Sequence, residues 1–337
     1  MRPPAPFLRD LASRVPLFEA RARFLARIRT FFRRRRFLEV DAPLLVPAAG
    51  MEPHLDPFEA KGWETGRTAF LPTSPEFYLK KLLAAGVGRC FSLAPSFRDE
   101  APSRSHSPEF LMLEWYRAGG MLSDLIRDGS ALLRELGRDL PGGRGVLRCG
   151  EAPVDLCGGI EVLSLGEAFE RHAGVDFRRL ESVEAWRDAA RARGASAGAG
   201  WTANDCFSYL MVAAVEPALR AYTRPVAPVG YPAFQAALAA LDAVDPRLSR
   251  RFELFVGGVE IANAYEELTD GAELRRRFAA YQEERRVAGK APHPEDGQFM
   301  EAVDRLGPCV GIALGADRLL ALLLGETVPR VRHGTPD

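Results

Sequence analysis

Glu253 and Glu260 stand either side of Gly257-Gly258, a dipeptide suited to a two-residue hairpin turn. With that turn, Glu260 lies opposite Phe255 and Glu253 becomes its diagonal neighbour on the same face, roughly 7 Å away. Two carboxylates so placed repel unless a cation joins them. Hard oxygen donors suit Mg²⁺, commonly shared with nucleotide phosphates; two solvated, well-screened glutamates are the plainer alternative. Arg98, in Phe97-Arg98-Asp99-Glu100, and Arg318, just past Gly315, each offer a planar fork that matches phosphate or carboxylate. Gly315 lets backbone approach a ligand closely. A lone arginine is ordinarily a surface residue, so neither fork is specific by itself. In Glu109 to Tyr116, strand alternation puts Leu111, Leu113 and Trp115 on a core face and Phe110, Met112, Glu114 and Tyr116 on the other. That second face either meets water or lines a polar pocket. Asn263 and Glu267 follow Glu260 with a different parity, so a bulge near Ala262 is needed to bring all of them to one site.

The elements that must hold these groups are legible from periodicity. Apolar residues Phe24, Leu25, Ile28, Phe31 and Phe32 recur at helical spacing and predict a helix over 17–36. An extended piece, Phe37 to Val40, follows and Pro43 bars further helix. Ser74-Pro75-Glu76 opens a helix with Ser as its cap, running to about Ala85, with Gly86 behind it. Strands are expected at 90–97 and 109–116, then a helix at 121–138. A Gly-rich, turn-bearing stretch fills 139–160. Ser164 to Glu167 is a capping box, and further helices are expected at 182–194 and 203–222. Strands at 251–256 and 259–265, helices at 271–288 and 296–306, a strand at 310–314 and a helix at 317–324 complete the chain, with 326–337 frayed. Strand hairpins with helices packed on them give an α+β antiparallel sheet.

Composition narrows the field. The 337 residues suit one large domain or one with an inserted lobe. Lys plus Arg number 45 and Asp plus Glu 45, without the basic excess of a dedicated nucleic-acid binder; Arg33 to Arg36 read as the solvated end of a helix. The five cysteines, Cys90, Cys149, Cys157, Cys206 and Cys309, are scattered without metal-site spacing and read as reduced thiols. With no membrane-length apolar run and no signal-peptide core, the reading is cytoplasmic.

In their order and separation the pieces resemble the class II aminoacyl-tRNA synthetases. The helix at 17–36 with Pro43 looks like motif 1, Phe97 through Phe110 like motif 2, and Gly311-Ile312-Ala313-Leu314-Gly315-Ala316-Asp317-Arg318-Leu319 like motif 3. Thr73-Ser74-Pro75-Glu76, Pro108-Glu109-Phe110 and Leu113-Glu114-Trp115-Tyr116 are similar to lysyl-tRNA synthetases. Closer still are the short paralogues of those enzymes, the elongation factor P–(R)-β-lysine ligases, over about residues 15–325. Motif 3 has Ala-Leu-Gly where lysyl-tRNA synthetases are more Gly-rich, and the motifs begin near residue 24, with no room before them for an anticodon-binding barrel.

The resemblance implies a class II catalytic core over 15–325, an antiparallel sheet flanked by helices, with a mainly helical insertion at about 121–224. It implies bent ATP, with Phe110 under the adenine, Arg318 over it and near the γ-phosphate, and Glu100 and Ser107 at the adenine edge. His106 would meet the γ-phosphate, and Asp99, Ile261 and Gly315 would complete the ATP site. Arg98 would grip the α-phosphate and the substrate carboxylate; Arg98 and Arg318 are the catalytic pair. Mg²⁺ would bridge Glu253 and Glu260. A lysine-like amino acid would be held by Ser74, Pro75, Glu76, Glu114, Tyr116, Asn263 and Glu267, because a substrate with two amines needs buried anions. Glu76 would take the amine near the carboxylate and Glu267 the distal one. The implied partners are elongation factor P as acceptor and a second copy in a homodimer through motif 1, with no stable tRNA binding. Asp99, Ala101 and Ser107 stand where the family usually has Asn, Glu and Asn, and Phe234 replaces a small Ser, bulk expected to narrow or redirect amino-acid choice.

Overall fold

The computed structural model describes residues 5–64, 67–140 and 143–332. Twelve strands lie within them: β1 (Leu38–Glu39), β2 (Glu59–Glu64), β3 (Arg67–Phe70), β4 (Arg89–Phe97), β5 (Glu109–Ala118), β6 (Val146–Arg148), β7 (Pro153–Asp155), β8 (Glu161–Ser164), β9 (Val226–Pro232), β10 (Leu248–Val256), β11 (Val259–Glu266) and β12 (Cys309–Gly315). Eight form one sheet in the order β1-β4-β5-β12-β11-β10-β9-β8; β2-β3 and β6-β7 are separate hairpins. The central ladder is antiparallel, as expected, but both edge strands, β1 on β4 and β8 on β9, run parallel.

The helices are α1 (Pro6–Arg34), α2 (Glu76–Ala84), α3 (Leu122–Gly137), α4 (Leu165–Ala168), α5 (Val183–Ala192), α6 (Ala203–Leu210), α7 (Glu216–Leu219), α8 (Gly271–Val287), α9 (Gly297–Val303), α10 (Ala316–Leu324) and α11 (Val328–Arg332). Helix α1 begins eleven residues before the expected start and runs through Pro16. Pro6 fits its first turn, where no backbone N–H is needed. Residues 326–332 are not frayed: α11 buries Val328 and Val331, and the Val328 N–H donates to the Arg104 carbonyl at 3.0 Å. Residues 333–337 lie outside the described residues.

Alternation decides which sheet face is dry. Leu111, Leu113 and Trp115 of β5 join Phe24, Ile28 and Phe32 of α1, Leu132 and Leu136 of α3 and Leu319 and Leu320 of α10 in the main core. A second core, with Phe169, Trp186, Phe207 and Met211, belongs to the lobe that starts at about Leu165. The helical lobe is therefore shorter than the expected insertion at 121–224. Helix α3 is part of the main core, and β8 extends the main sheet. Apolar spacing alone could not separate a helix covering the sheet from helices covering one another.

Candidate active site

The opposite face of the sheet, partly roofed by α2, carries a cavity of about 280 Å³. Register fixes its floor. One row across five strands reads Ser92, Glu114, Ala313, Asn263, Glu253; the next reads Cys90, Tyr116, Gly311, Tyr265, Arg251. Phe255 does pair with Glu260, and Gly257 and Gly258 both take positive φ, as a tight hairpin turn requires. The expected irregularity sits at Ile261: Leu254 pairs with Ala262 but Phe255 with Glu260. That extra residue changes parity and puts Asn263 opposite Glu253.

The two small residues of β12 make the floor low between its walls. Gly311 admits no side chain, since a Cβ there would run into the Tyr116 ring and the Glu267 carboxylate.

One end of the cavity is built to hold anions. It is lined by Arg98, Glu100, Ser105, His106, Ser107, Phe110, Glu260, Ile261, Gly315 and Arg318. The Arg98 guanidinium lies 5.1 Å from the Phe110 ring centre. Arg318 donates to the Glu260 carbonyl at 2.9 Å and through Nη2 to His106 Nε2 at 2.9 Å. Burial, with Arg318 adding to it, lowers the His106 pKa, so a neutral ring accepts that bond. Nδ1 lies within 3.1 Å of the Ser103 and Ser105 hydroxyls. Beneath Arg318, the buried Asp317 carboxylate accepts the Leu111 N–H at 2.8 Å and pairs with Arg21 and Arg332. This anchor joins α1, β5, α10 and α11.

Near it, burial and the neighbouring Glu253 charge push Glu260 up to about 7, against the pull of Arg318. Glu216, at the start of α7, is raised by burial and by Glu253 too. Under-neutralised hard oxygen donors of this kind fit Mg²⁺. Arg251 holds Glu253 Oε1 at 2.5 Å, and Glu253 is not among the cavity-lining residues.

The other end is acidic. Glu52, Ser74, Glu76, Glu114, Asn263 and Tyr265 line it. Glu114 is fully buried, which excludes the water-facing alternative for its strand face. Its Oε2 accepts the Tyr116 hydroxyl at 2.9 Å. Burial pushes Glu114 up to about 8, helped by the charge of Glu76. Glu267 is likewise pushed up to about 8, mainly by burial. It lies behind the cavity wall, where Lys80 Nζ stands 2.5 Å from Glu267 Oε2 and 2.5 Å from Glu76 Oε1. Glu114 Oε1, both Glu267 oxygens and Asn263 Oδ1 are buried acceptors without a hydrogen-bond donor among the described residues, Glu267 Oε2 having only the Lys80 ammonium beside it as an ion pair. Buried polar groups are nearly always satisfied, so this end fits a ligand rich in N–H donors.

The structure thus brings together most of the residues picked from sequence. Pro75, Asp99, Tyr116, Glu253 and Glu267 do not line the cavity. Pro75 precedes α2, and Ser74 Oγ accepts the Glu76 N–H at 3.1 Å. Asp99 is exposed, its N–H bound to the Asp56 carbonyl at 2.8 Å. Tyr116 supports Glu114 from below. Phe234 corrects the expectation of a narrowed pocket: its ring packs edge-on against Trp186 and Phe207 in the lobe, away from the cavity.

Sequence reading missed Glu52, His54, Leu55, Lys80 and Tyr265. The first three sit in an irregular loop without periodicity. Arg285 donates to the Pro53 and Leu55 carbonyls at 2.9 and 3.1 Å, and Lys290 to His54 and Asp56. Tyr265 could have been found by alternation from Asn263. Lys80 had a signal in its i,i+4 spacing from Glu76.

The family model for class II tRNA synthetases (D, K and N) matches residues 12–332. An elongation factor P–(R)-β-lysine ligase of Klebsiella pneumoniae (strain 342) is 36% identical over 330 residues, 96% of each chain. Ligases of the same name from Erwinia tasmaniensis and Edwardsiella ictaluri are each 37% identical, over 315 and 310 residues, covering 90% of both chains in each case.

Proposed function

Because this chain belongs to the class II tRNA synthetases (D, K and N) and is homologous to elongation factor P–(R)-β-lysine ligases, we propose that it activates a lysine-type diamino acid with ATP and passes it to a protein amine. The preferred substrate in this reading is (R)-β-lysine and the acceptor a lysine side chain of translation elongation factor P. The observation that carries it is the cluster of buried acceptors without donors, Glu114 Oε1, Glu267 Oε1 and Asn263 Oδ1. Two ammonium groups supply the missing donors and charge.

The chemistry follows from the two ends of the cavity. The acidic end takes the amines and points the substrate carboxylate toward Arg98. A carboxylate oxygen attacks the α-phosphorus of ATP, the bond to the β-phosphate oxygen breaks and pyrophosphate leaves. Arg98 and Arg318 neutralise charge and align the reactants; no protein nucleophile is needed. Mg²⁺ held by Glu260, with Glu253 beside it, would neutralise phosphate charge. In the second step the acceptor amine attacks the adenylate carbonyl, an amide forms and AMP departs with the amine proton lost. Ala313 lies on the floor between Glu114 and Asn263, where a methyl group restricts the depth at which an amine can sit.

The test is ATP–pyrophosphate exchange with the purified protein over a panel of amino acids, including both lysine isomers. It is followed by transfer to elongation factor P or to tRNA, read by mass. Exchange strongest with (R)-β-lysine and a matching mass increase on elongation factor P are expected. Exchange favouring a monoamino acid, or transfer to tRNA alone, overturns the reading.

A further inference from the structure

Lys80 is almost wholly enclosed, with 2% of its side chain exposed, and no part of the proposed chemistry employs it. It points from α2 between two carboxylates from distant parts of the chain. Burial works to lower its pKa, but Glu267 and Glu76 outweigh that and hold the ammonium above its ordinary range. It is therefore a fixed positive charge. Three buried or nearly buried carboxylates, Glu76, Glu114 and Glu267, face this end of the cavity or lie just behind it. Glu52, at the same end, is partly exposed and accepts the Met51 N–H at 3.1 Å, so solvent and backbone share its charge. Tyr116 and Tyr265 are held neutral above their ordinary range, chiefly by burial.

We propose that Lys80 sets the charge specificity of the amino-acid pocket. Its ammonium fills one of three cationic places among Glu76, Glu114 and Glu267 and leaves two, the number a diamino acid brings. It is a positioning residue as well. By taking Oε1 of Glu76 and Oε2 of Glu267 it fixes both side chains and turns Glu267 Oε1, which has no partner, toward the Gly311 gap. A monoamino acid leaves one carboxyl without a cation, so that group keeps its proton and forgoes the ion pair that a second ammonium would make. This inference rests on the diamino-acid reading above and names the residue that does the counting.

The experiment compares wild type, Lys80→Met, Glu267→Gln and the double variant in pyrophosphate exchange, with the preferred diamino acid and with norleucine. In Lys80→Met the KM for the diamino acid is expected to rise about tenfold or more, with kcat within about threefold and the KM for ATP unchanged. Preference over norleucine should not fall in Lys80→Met, which adds a place for a cation, whereas Glu267→Gln, which removes one, should lower it about tenfold. Removing Lys80 from the Glu267→Gln background should cost less than about threefold, because the two act as a unit. That comparison also serves if Lys80→Met alone fails to fold, since the double variant removes one charge of each sign. An unchanged KM in Lys80→Met, or the full tenfold loss in the Glu267→Gln background, overturns the role of Lys80 while the diamino-acid reading stands. Wild-type exchange that favours a monoamino acid overturns both.

Discussion

Gly311 shows how much one residue decides. Only a hydrogen fits between the Tyr116 ring and the Glu267 carboxylate, so Gly311→Ala must push one of them aside. We expect a loss of stability of about 1–3 kcal/mol, the ordinary cost of overpacking, with a larger effect on amino-acid KM than on ATP KM. Thermal melts and exchange kinetics check this. Protonation acts at the same scale. Glu114 is pushed up to about 8, so at neutral pH the free protein holds a proton there that a bound diammonium substrate expels. Amino-acid affinity should therefore rise with pH up to about 8 and level off above it, until the substrate amines themselves lose protons. The sign for stability is opposite. Folding takes up a proton at Glu114 between the unfolded value of about 4.5 and about 8, so this group makes stability fall as pH rises through that window. Calorimetric binding in buffers of different ionisation heat measures the proton release directly; no release at pH 7 contradicts the assignment.

Elements matter here as carriers of fixed atoms. Asp317 opens α10, yet its contacts reach β5 through the Leu111 N–H, α1 through Arg21 and α11 through Arg332. Those contacts set the azimuth of α10 and so the direction of Arg318. Asp317→Ala leaves two buried guanidinium groups short of a partner and an amide without an acceptor. It is expected to cost about 3–5 kcal/mol in denaturant unfolding and to raise the KM for ATP. A loss below 1 kcal/mol would show that solvent fills the place. On the other side of the cavity, Arg285 and Lys290 fasten the loop from Glu52 to Asp56 to the end of α8, and the Asp56 carbonyl accepts the Asp99 N–H. The acidic end of the cavity and the start of the Arg98-bearing loop are thereby joined by one run of hydrogen bonds.

Across the whole molecule, apolar surface remains at the β1 edge. Leu38, Leu44 and Leu45 are exposed beside a two-residue parallel strand; Phe7, Leu8 and Leu11 are exposed separately, at the N-terminal end of α1, about 35 Å along the helix from the end that leads into β1. Exposed apolar residues beside an unpaired sheet edge are a setting for association. Phe24, Ile28 and Phe31, the α1 residues on which a motif 1 dimer would rest, are buried in the main core; we predict a twofold homodimer through the β1 edge instead, with light scattering giving twice the 37.0 kDa chain mass at micromolar concentration. A steady 37.0 kDa particle would contradict it. Among the described residues no helix is long and apolar enough to cross a membrane.

The sequence by itself determined the central strands and main helices and the chemical character of the site, but not β2, β3, β8, β9 or α11. Alternation in β5 separated the Trp115 face from the Glu114 face and the double glycine set the β10–β11 turn, while adenylate chemistry was implied by the resemblance of the stretches around Arg98 and Arg318 to class II synthetases. These are local properties: periodicity, turn conformations and residue types act over a few neighbours. What the chain does with charge was decided by tertiary structure alone. Glu253 turned to Arg251, Phe234 went to the lobe, and Lys80 came between Glu76 and Glu267. Lys80 with Glu267 and Phe234 with Trp186 and Phe207 depend on partners far away in sequence, whereas Arg251 and Glu253 are two residues apart on one strand face and needed only the burial of that face to be forced together. A charged side chain's partner follows from which elements share a buried wall, and burial makes that pairing obligatory rather than optional.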